Sequence, residues 1–472
     1  MADLLTPDLC VIGAGAAGLA VAAEAAALGV PVVLIERGTL GGENLNSGGV
    51  PSKALIAAAR RAHDVEDSER FGVKVARPKV DFMALHDHIV GVMASIAPNH
   101  SRERLTGLGV RVIEGSGRFV DPKTVAVGDD IRVQARRFVI ATGSTPAIPA
   151  IPGLTEASYL TNETVFDLRV GPKHLIVIGA GVVGVEFAQA YARLGAEVTI
   201  IDAATPLHSE DPECVAILLD ALAREGVRVI TGVAIERVQR SRGKIGVALP
   251  DGTMIEGSHL LVATGRKPSI EGLGLEAARV RHEPRGILVD GNLKTTNKRV
   301  YAIGDVTRAP RFTHLATHHA GRVVGHALFR RSVNADDEAI PRVVFTDPEL
   351  AHVGLTEGQA KARRHDIRVL RWPFAENDRA QTERRTAGHI KVVTNAEGRI
   401  LGATIVGHEA GEQIASWSLA LAQKLNISAF AALVLPYPTR AEAGKKAAIA
   451  YFTPRLTGPW VRRIIAFLRR LG

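Results

Sequence analysis

One pattern that occurs twice in this chain restricts its fold more than any other feature. In the first copy, the apolar segment DLCVI runs into a glycine-rich turn and an alanine-rich segment, and the next apolar segment ends in Glu36, 18 residues after the last glycine. A strand, a glycine turn and a helix start present backbone N–H groups to a pyrophosphate, and an acid about 20 residues further on binds a ribose hydroxyl. We therefore predict a dinucleotide-binding βαβ unit with Gly13, Gly15 and Gly18 at the phosphates.

The second copy begins at HLIVIGAGVVG and has the same spacing. Its acid, Asp202, again follows the last glycine by 18 residues, and the glycines are Gly179, Gly181 and Gly184. Two complete copies predict an α/β fold with two Rossmann-like dinucleotide-binding domains. Ala203 and Ala204 follow Asp202 and offer no arginine for a 2′-phosphate, so we expect NADH rather than NADPH at one of the sites.

Composition and charge exclude several classes of protein. The 472 residues, with 46% hydrophobic and 23% charged, fit two or three globular domains. Cys10 and Cys214 are the only cysteines, too few for a disulfide framework, which favours a reducing cytoplasm. We find no signal-peptide pattern, no apolar run long enough to span a membrane and no nucleic-acid motif behind the net charge of +9.

Further motifs lie at the ends of later apolar segments. The turn ATGSTP contains Thr142 and Gly143, the turn ATGRKP contains Gly265, and the segment VYAIGDVT contains Gly304 and Asp305. With these motifs the chain resembles, nearly end to end, the pyridine nucleotide–disulfide oxidoreductase family, such as dihydrolipoamide dehydrogenase, glutathione reductase and mercuric reductase. The resemblance implies FAD at the first loop, the nicotinamide cofactor at the second, and a bond from Asp305 to the ribityl or phosphate portion of the flavin.

The same resemblance predicts the order of the domains. From about Pro341 the chain is similar to the α+β interface domain through which this family forms homodimers, each subunit completing the other's active site; an independent substrate-binding domain is the alternative. The expected fold is thus glutathione reductase-like with a carboxy-terminal dimerisation domain. The predicted ranges are 1–150 and 269–335 for FAD, 151–268 for NAD(P), 336–455 for dimerisation and 456–472 for a basic amphipathic tail.

The loop GGENLNSGGVPSK departs from the family at the positions that carry its chemistry. The family sequence is GGTCLNVGCIPSK, and here Asn44 and Gly49 replace the two cysteines while Gly42 and Lys53 match. Neither an amide nor a glycine can act as a redox sulfur. We therefore expect no redox disulfide, and a small polar pocket formed by Glu43 and Asn44.

The carboxy-terminal motif departs in the same direction. The family's disulfide reductases carry His-Pro-Thr followed by a glutamate, whereas this chain has Tyr437 before Pro438 and Thr439, and then Glu442. A tyrosine with a pKa near 10 is a poor base at neutral pH. Mercuric reductases are similar in having tyrosine there, but they also use the cysteine pair and a second pair at the tail, which are absent. A packing role for Tyr437 remains as open as a catalytic role.

Two other side-chain groups have a functional and a structural interpretation. Lys53 and Glu186 correspond to the family's ion pair beside the flavin ring, and the alternative is an ordinary surface pair. His314, His318 and His319 have helical spacing suited to a metal ion, but no nearby carboxylate or cysteine completes the set. We therefore expect no metal site there.

The last residues predict an amphipathic helix. Trp460, Ile464, Phe467 and Leu471 are among the apolar residues of one side, and arginines from Arg462 to Arg470 lie on the other. Such a helix is too short to span a bilayer, but suits the interface of an anionic membrane. Packing against the protein itself or its dimer partner is the alternative.

Together these features predict an FAD-dependent NADH oxidoreductase without a redox disulfide, whose flavin reduces a small acceptor directly. A quinone is the preferred acceptor, because it needs no sulfur and would account for a membrane-seeking tail. A soluble pyridine nucleotide transhydrogenase and a non-catalytic flavoprotein partner subunit are the alternatives. The expected location is the cytoplasm, with the tail on the inner face of the membrane.

Overall fold

The computed structural model describes residues 3–76, 78–241, 243–332, 339–363, 366–456 and 458–470. The chain divides into two compact units. The first unit comprises Met1–Ala203 with Ile230–Ala335, and the second comprises Ala204–Val229 with Asp336–Gly472.

The strands are as follows: β1 (Asp3–Leu5), β2 (Leu9–Ile12), β3 (Val32–Glu36), β4 (Val110–Glu114), β5 (Gly117–Asp121), β6 (Thr124–Val127), β7 (Ile131–Val133), β8 (Arg137–Ile140), β9 (Ser144–Pro146), β10 (His174–Ile178), β11 (Glu197–Asp202), β12 (Arg228–Thr231), β13 (Arg237–Ser241), β14 (Lys244–Ala248), β15 (Met254–Gly257), β16 (His259–Val262), β17 (Arg266–Pro268), β18 (His282–Glu283), β19 (Gly286–Ile287), β20 (Val300–Ala302), β21 (Arg342–Val344), β22 (Glu349–Gly354), β23 (Ile367–Pro373), β24 (His389–Asn395) and β25 (Ile400–Gly407).

The α-helices are as follows: α1 (Ala16–Ala27), α2 (Gly42–Asn46), α3 (Gly49–Glu66), α4 (Phe82–Ile96), α5 (Arg102–Gly107), α6 (Val182–Arg193), α7 (Pro212–Arg224), α8 (Thr313–Phe329), α9 (Glu357–Arg363), α10 (Asp378–Thr382), α11 (Ala410–Ala422), α12 (Ser428–Ala432), α13 (Glu442–Leu456) and α14 (Pro459–Leu468).

Two parallel sheets form the centre of the first unit. The first has the order β20-β8-β2-β3-β4, and the second has the order β12-β11-β10-β16. The central strands β2 and β10 are apolar and buried, as strands covered on both faces must be. Each leads directly into one of the two glycine turns, and α1 or α6 follows. The prediction of two Rossmann-like βαβ units is confirmed.

The second unit is built on an antiparallel sheet of order β21-β22-β25-β24-β23. Its core includes residues from α11, α12 and α13, and Trp417 stacks on Phe430 with ring centroids 3.8 Å apart. Helix α7 lies against β22 and β25, although in sequence it follows the second glycine motif. The strands and helices of this unit agree with the predicted α+β class.

A buried cation joins α7 to the sheet of the second unit. The Lys391 side chain is 4% exposed, and its Nζ lies 2.8 Å from carboxylate oxygens of Asp211, Glu213 and Glu357. Arg371 binds Glu213 and Glu357 from the more exposed side, at 3.0 and 2.8 Å. Buried charges of this kind need close partners, because desolvation of an unpaired ion costs several kcal/mol.

These contacts shift the acidity of the groups involved. Burial opposes the ionisation of Glu213, but hydrogen bonds from Arg371 and Lys391 lower its pKa to about 2. Hydrogen bonds from Lys361 and Lys391 lower the pKa of Glu357 to about 2. Burial by itself lowers the pKa of Lys391, but the three carboxylates raise it above its ordinary value. Glu213, Glu357 and Lys391 therefore stay charged at neutral pH.

The predicted carboxy-terminal helix is present as α14. Its apolar side chains are exposed, with Trp460 at 74% and Phe467 at 62%. Leu471, predicted on the same side, lies outside the described residues. Within the described ranges, no helix has the length and hydropathy needed to cross a membrane.

Candidate functional site

A cavity of about 620 Å³ lies in the first unit, beside the turns that follow β2, β3 and β8. Turns at the carboxyl ends of parallel strands are where open α/β sheets bind ligands. Most residues that the sequence predicted for the first cofactor line this cavity. They are Gly13, Gly15, Glu36, Gly42, Asn44, Thr142, Gly143, Gly304 and Asp305.

Gly13 and Gly18 of the first turn, and Gly42 beside it, cannot carry side chains in this backbone. A Cβ on Gly13 would lie 2.4 Å from Ala141 O, and one on Gly18 would lie 1.8 Å from Gly13 O. A Cβ on Gly42 would lie 2.5 Å from Gly15 Cα. Bare backbone at the start of α1 thus faces the cavity, which fits the close approach of a pyrophosphate.

The two acids behind the glycine turns occupy equivalent positions. Glu36 Oε2 accepts a hydrogen bond from Ala14 N at 2.5 Å, and Asp202 Oδ2 accepts one from Ala180 N at 2.6 Å. The second turn repeats the first, since a Cβ on Gly179 would lie 2.5 Å from Ala263 O and one on Gly184 would lie 1.9 Å from Gly179 O. A Cβ on Gly181 would meet no atom within 4 Å, so the backbone there is open to an approaching phosphate. The donor set fits a second dinucleotide.

Asp305 belongs to a polar cluster centred on an arginine that the sequence analysis did not single out. Asp305 Oδ2 accepts a hydrogen bond from Ser144 Oγ at 2.7 Å. Arg266 donates to Ser144 Oγ at 2.7 Å, to Ser144 O at 2.8 Å and to Asn162 Oδ1 at 3.2 Å. Its guanidinium also lies 3.6 Å from Glu43 and 4.0 Å from Asp305. The only sequence signal was its position directly after Gly265.

The loop that lacks cysteines is filled by its own polar side chains. A Cβ on Gly49 would lie 2.6 Å from Asn44 Oδ1, so the Asn44 amide occupies space beside that glycine. Similarly, a Cβ on Gly48 would lie 2.4 Å from Glu43 Oε1. Asn44 Oδ1 also accepts a hydrogen bond from Thr313 at 3.3 Å. The Asn44 amide therefore fills the space between the two positions at which the resemblance would have placed cysteines.

Lys53 and Glu186 form the ion pair expected from the resemblance. Lys53 Nζ lies 2.8 Å from Glu186 Oε2, and the Glu186 side chain is only 5% exposed. The pair joins α3 to α6 within the first unit. The burial of Glu186 makes the pair unlike an ordinary surface pair, although Lys53 is 37% exposed, and the role of the pair beside a flavin remains a prediction.

Tyr437 pairs with an aspartate rather than with the glutamate of its own motif. Its hydroxyl donates to Asp378 Oδ2 at 2.8 Å, and Asp378 raises the pKa of Tyr437 above its ordinary value. Glu442 instead accepts a hydrogen bond from Thr439 N at 3.1 Å. Tyr437 is 71% exposed and stays protonated at neutral pH, so it is not a base there. Asp378 is a second residue that the sequence analysis missed.

The histidines that prompted the metal hypothesis lie on α8. His314 stacks on Phe312 with ring centroids 5.2 Å apart, and His319 is buried. Among the residues with described positions, no group of three or more histidine, cysteine, aspartate or glutamate side chains is arranged to hold a metal ion.

Two dinucleotide-type turns, with a cavity at the first, define a two-dinucleotide oxidoreductase. Comparison with known families shows which one: the chain belongs to the pyridine nucleotide-disulphide oxidoreductases, which match residues 7–320, and residues 340–448 match their dimerisation domain. This is a family of FAD-dependent oxidoreductases whose members use FAD and NAD(P)H. The predicted family, fold class and cofactor types are confirmed.

Individual relatives are similar over almost the whole chain. A mercuric reductase of Bacillus cereus is 36% identical, covering 94% of this chain and 71% of that protein. A dihydrolipoyl dehydrogenase of Thermus scotoductus is 37% identical, and the match covers 94% of this chain and 97% of that protein. Among solved structures, LpdA from Mycobacterium tuberculosis has a TM-score of 0.86 at 26% sequence identity. The HOCl-induced flavoprotein disulfide reductase RclA from Escherichia coli has a TM-score of 0.84 at 27% sequence identity. Each match covers 94% of this chain and 99% of the other chain.

Proposed function

We propose that this protein is an FAD-containing NADH oxidoreductase that reduces a small acceptor without a redox disulfide. The observation that carries the proposal is the replacement of both loop cysteines by Asn44 and Gly49. The remaining cysteines cannot substitute for them, because Cys10 and Cys214 are fully buried and burial raises the pKa of each thiol. A redox thiol needs an accessible thiolate.

The residues around the cavity have separate roles in this proposal. The first glycine turn and Glu36 hold FAD, with Asp305 at its ribityl or phosphate portion, and the second turn with Asp202 holds NADH. Bound there, FAD would supply the two-electron chemistry that links a nicotinamide to an acceptor. Lys53 places a cation at the flavin, held in position by Glu186.

A quinone is the acceptor that this site suits best. Quinones take electrons from a flavin without any sulfur intermediate, and the Glu43 and Asn44 side chains offer polar groups at the cavity wall. The test is anaerobic titration of the purified flavoprotein with NADH, followed by quinones, disulfides and NADP⁺ as acceptors. One equivalent of NADH should bleach the flavin, with no long-wavelength thiolate band, and a quinone should restore its colour.

Each of the other outcomes of this titration would indicate a different function. Efficient turnover of lipoamide would refute direct transfer, and equal turnover of NADPH and NAD⁺ would indicate a transhydrogenase. Failure of NADH to bleach the flavin would indicate a non-catalytic flavoprotein.

We also propose that the protein acts as a homodimer through its dimerisation domain. The segment before Tyr437 supports this, since Val434 is 94% exposed and Leu433 40% exposed in the single chain. Apolar side chains at such exposure suit an interface. By the family resemblance, this segment would reach the partner's active site.

We expect NADH to be preferred over NADPH as the electron donor. A 2′-phosphate would meet the Asp202 carboxylate, and Ala203 and Ala204 supply no compensating cation. The kcat/KM for NADH should exceed that for NADPH by about tenfold or more, and Asp202→Asn should reduce this ratio. A ratio that favours NADPH in the unmodified protein would contradict the assignment.

We propose that α14 binds anionic membranes and expect this to be measurable with liposomes. Exposed Trp460 and Phe467 would enter the interface, while Arg462, Arg463 and Arg469 would attract anionic headgroups with about 1 kcal/mol each. Sedimentation should show binding that needs anionic lipid, weakens with salt and disappears when the chain ends before Gly458. Unchanged binding by the truncated protein would assign the helix to packing instead.

A further inference from the structure

Glu43 is a carboxyl group for which neither the family comparison nor the cofactor sites account. It lies in α2 and lines the cavity, and its side chain folds over Gly48. The side chain is 37% exposed, so it is in contact with solvent as well as with the cavity. A group with both contacts can exchange protons with water and present them to a bound molecule.

Arg266 fixes the position of this carboxyl. Three hydrogen bonds to Ser144 and Asn162 hold the guanidinium, and Nη1 lies 3.6 Å from Glu43 Oε1. Asn162 also donates to Ser47 O at 3.0 Å, which ties the same wall to the end of α2. Glu43 therefore faces a rigid partner rather than a mobile surface cation.

The charges around Glu43 are mixed, and its burial favours the protonated form of the carboxyl. Burial raises the pKa of Glu43 and outweighs the opposing effect of Arg266; Asp305 and Glu163 raise it further, and Lys53 lowers it. The carboxyl therefore keeps its proton to a higher pH than a free glutamate does. Acids with a raised pKa are suited to proton donation near neutrality.

Reduction of a quinone to a quinol consumes a proton that such a group can supply. NADH, one proton and one quinone give NAD⁺ and a quinol, so the acceptor takes up one proton beyond the hydride that NADH supplies. We propose that Glu43 delivers this proton to the acceptor oxygen and is reprotonated from solvent, with Arg266 as its positioning residue. This inference rests on the proposed function, because it names the proton donor for the acceptor at the same cavity.

The test is Glu43→Gln, which keeps the shape and removes the acid. We expect kcat for quinone reduction to fall by about 100-fold, the typical contribution of a general acid, while NADH bleaches the flavin at an unchanged rate. The pH profile should lose its basic limb, and Glu43→Asp should restore part of the rate. Glu103→Gln, on α5 away from the cavity, is the matched control and should change nothing.

A readout independent of turnover is an infrared pH titration of the carboxyl groups. The unmodified protein should show a protonated carboxyl band that persists above the ordinary glutamate range and is absent in Glu43→Gln. If that variant does not fold, Arg266→Met replaces it: loss of the cation raises the pKa of Glu43, so the band and the basic limb should move to higher pH.

The outcomes separate this inference from the function on which it rests. No quinone reduction by the unmodified protein would overturn the proposed function. Quinone reduction with the same kcat and the same pH profile in Glu43→Gln would overturn the role of Glu43 alone. Unshifted bands and profiles in Arg266→Met would likewise contradict the coupling between the two residues.

Discussion

Lipoamide should remain a poor substrate even after both cysteines are restored. In Asn44→Cys with Gly49→Cys, the amide that lies 2.6 Å from a Cβ at position 49 is removed, which leaves room for a cross-link. The thiols would still lack a base, because the Tyr437 hydroxyl donates a hydrogen bond to Asp378, which raises the pKa of Tyr437 and keeps it protonated. We expect turnover about 100-fold or more below that of the triple variant with Tyr437→His.

NADH oxidation with lipoamide measures this difference, and thiol titration verifies that the disulfide has formed. Asn44→Ser with Gly49→Ser is the matched control, since it adds side chains of similar size without sulfur. Equal turnover by the double and triple variants would show that Tyr437 does not limit the reaction.

Removal of the Lys391 ammonium should destabilise the second unit strongly. Lys391→Ala leaves Asp211 buried with its charge uncompensated, and breaking such a pair costs about 3–5 kcal/mol. Urea unfolding followed by tryptophan fluorescence reports on this unit, because all three tryptophans, Trp372, Trp417 and Trp460, belong to it. Arg371→Ala is the control, because the Arg371 side chain contacts two of the same carboxylates but is 41% exposed. This variant should lower the free energy of unfolding by about 1 kcal/mol or less.

The destabilisation should depend on pH in a defined direction. Glu213 and Glu357 have pKa values of about 2 in the folded protein, below the ordinary 4.5. Their contribution is therefore present above about pH 4.5 and is lost as the pH falls towards 2. The difference in the free energy of unfolding between the unmodified protein and Lys391→Ala should become smaller in this pH range. An equal difference at pH 7 and pH 3 would contradict an ionic origin of the destabilisation.

Features that depend on consecutive residues were predicted from the sequence. Each glycine turn lies between a strand and a helix of the same short segment, so the spacing to Glu36 and to Asp202 follows from local geometry alone. The loss of the cysteine pair was also visible, since Asn44 and Gly49 lie within one motif. The pairing of Lys53 with Glu186 was expected only because the family resemblance supplied a long-range contact.

Contacts between distant segments were decided by the tertiary structure. Arg266 meets Ser144 across 122 residues of sequence, and only the pairing of β17 with β9 brings them together. Tyr437 donates to Asp378 across 59 residues of sequence, whereas Glu442 of its own motif accepts a hydrogen bond from Thr439 N.

The sequence by itself thus determined the two nucleotide turns and the absence of the cysteine pair from the loop, because both are read from consecutive residues. Only the tertiary structure decided which charges surround Glu43 and how α7 joins the second unit. Lys391 and Asp211 are 180 residues apart, and no local pattern marks either as the other's partner. Burial selects such pairs, since a charge removed from water is stable only where the folded chain brings its counter-ion within hydrogen-bonding distance.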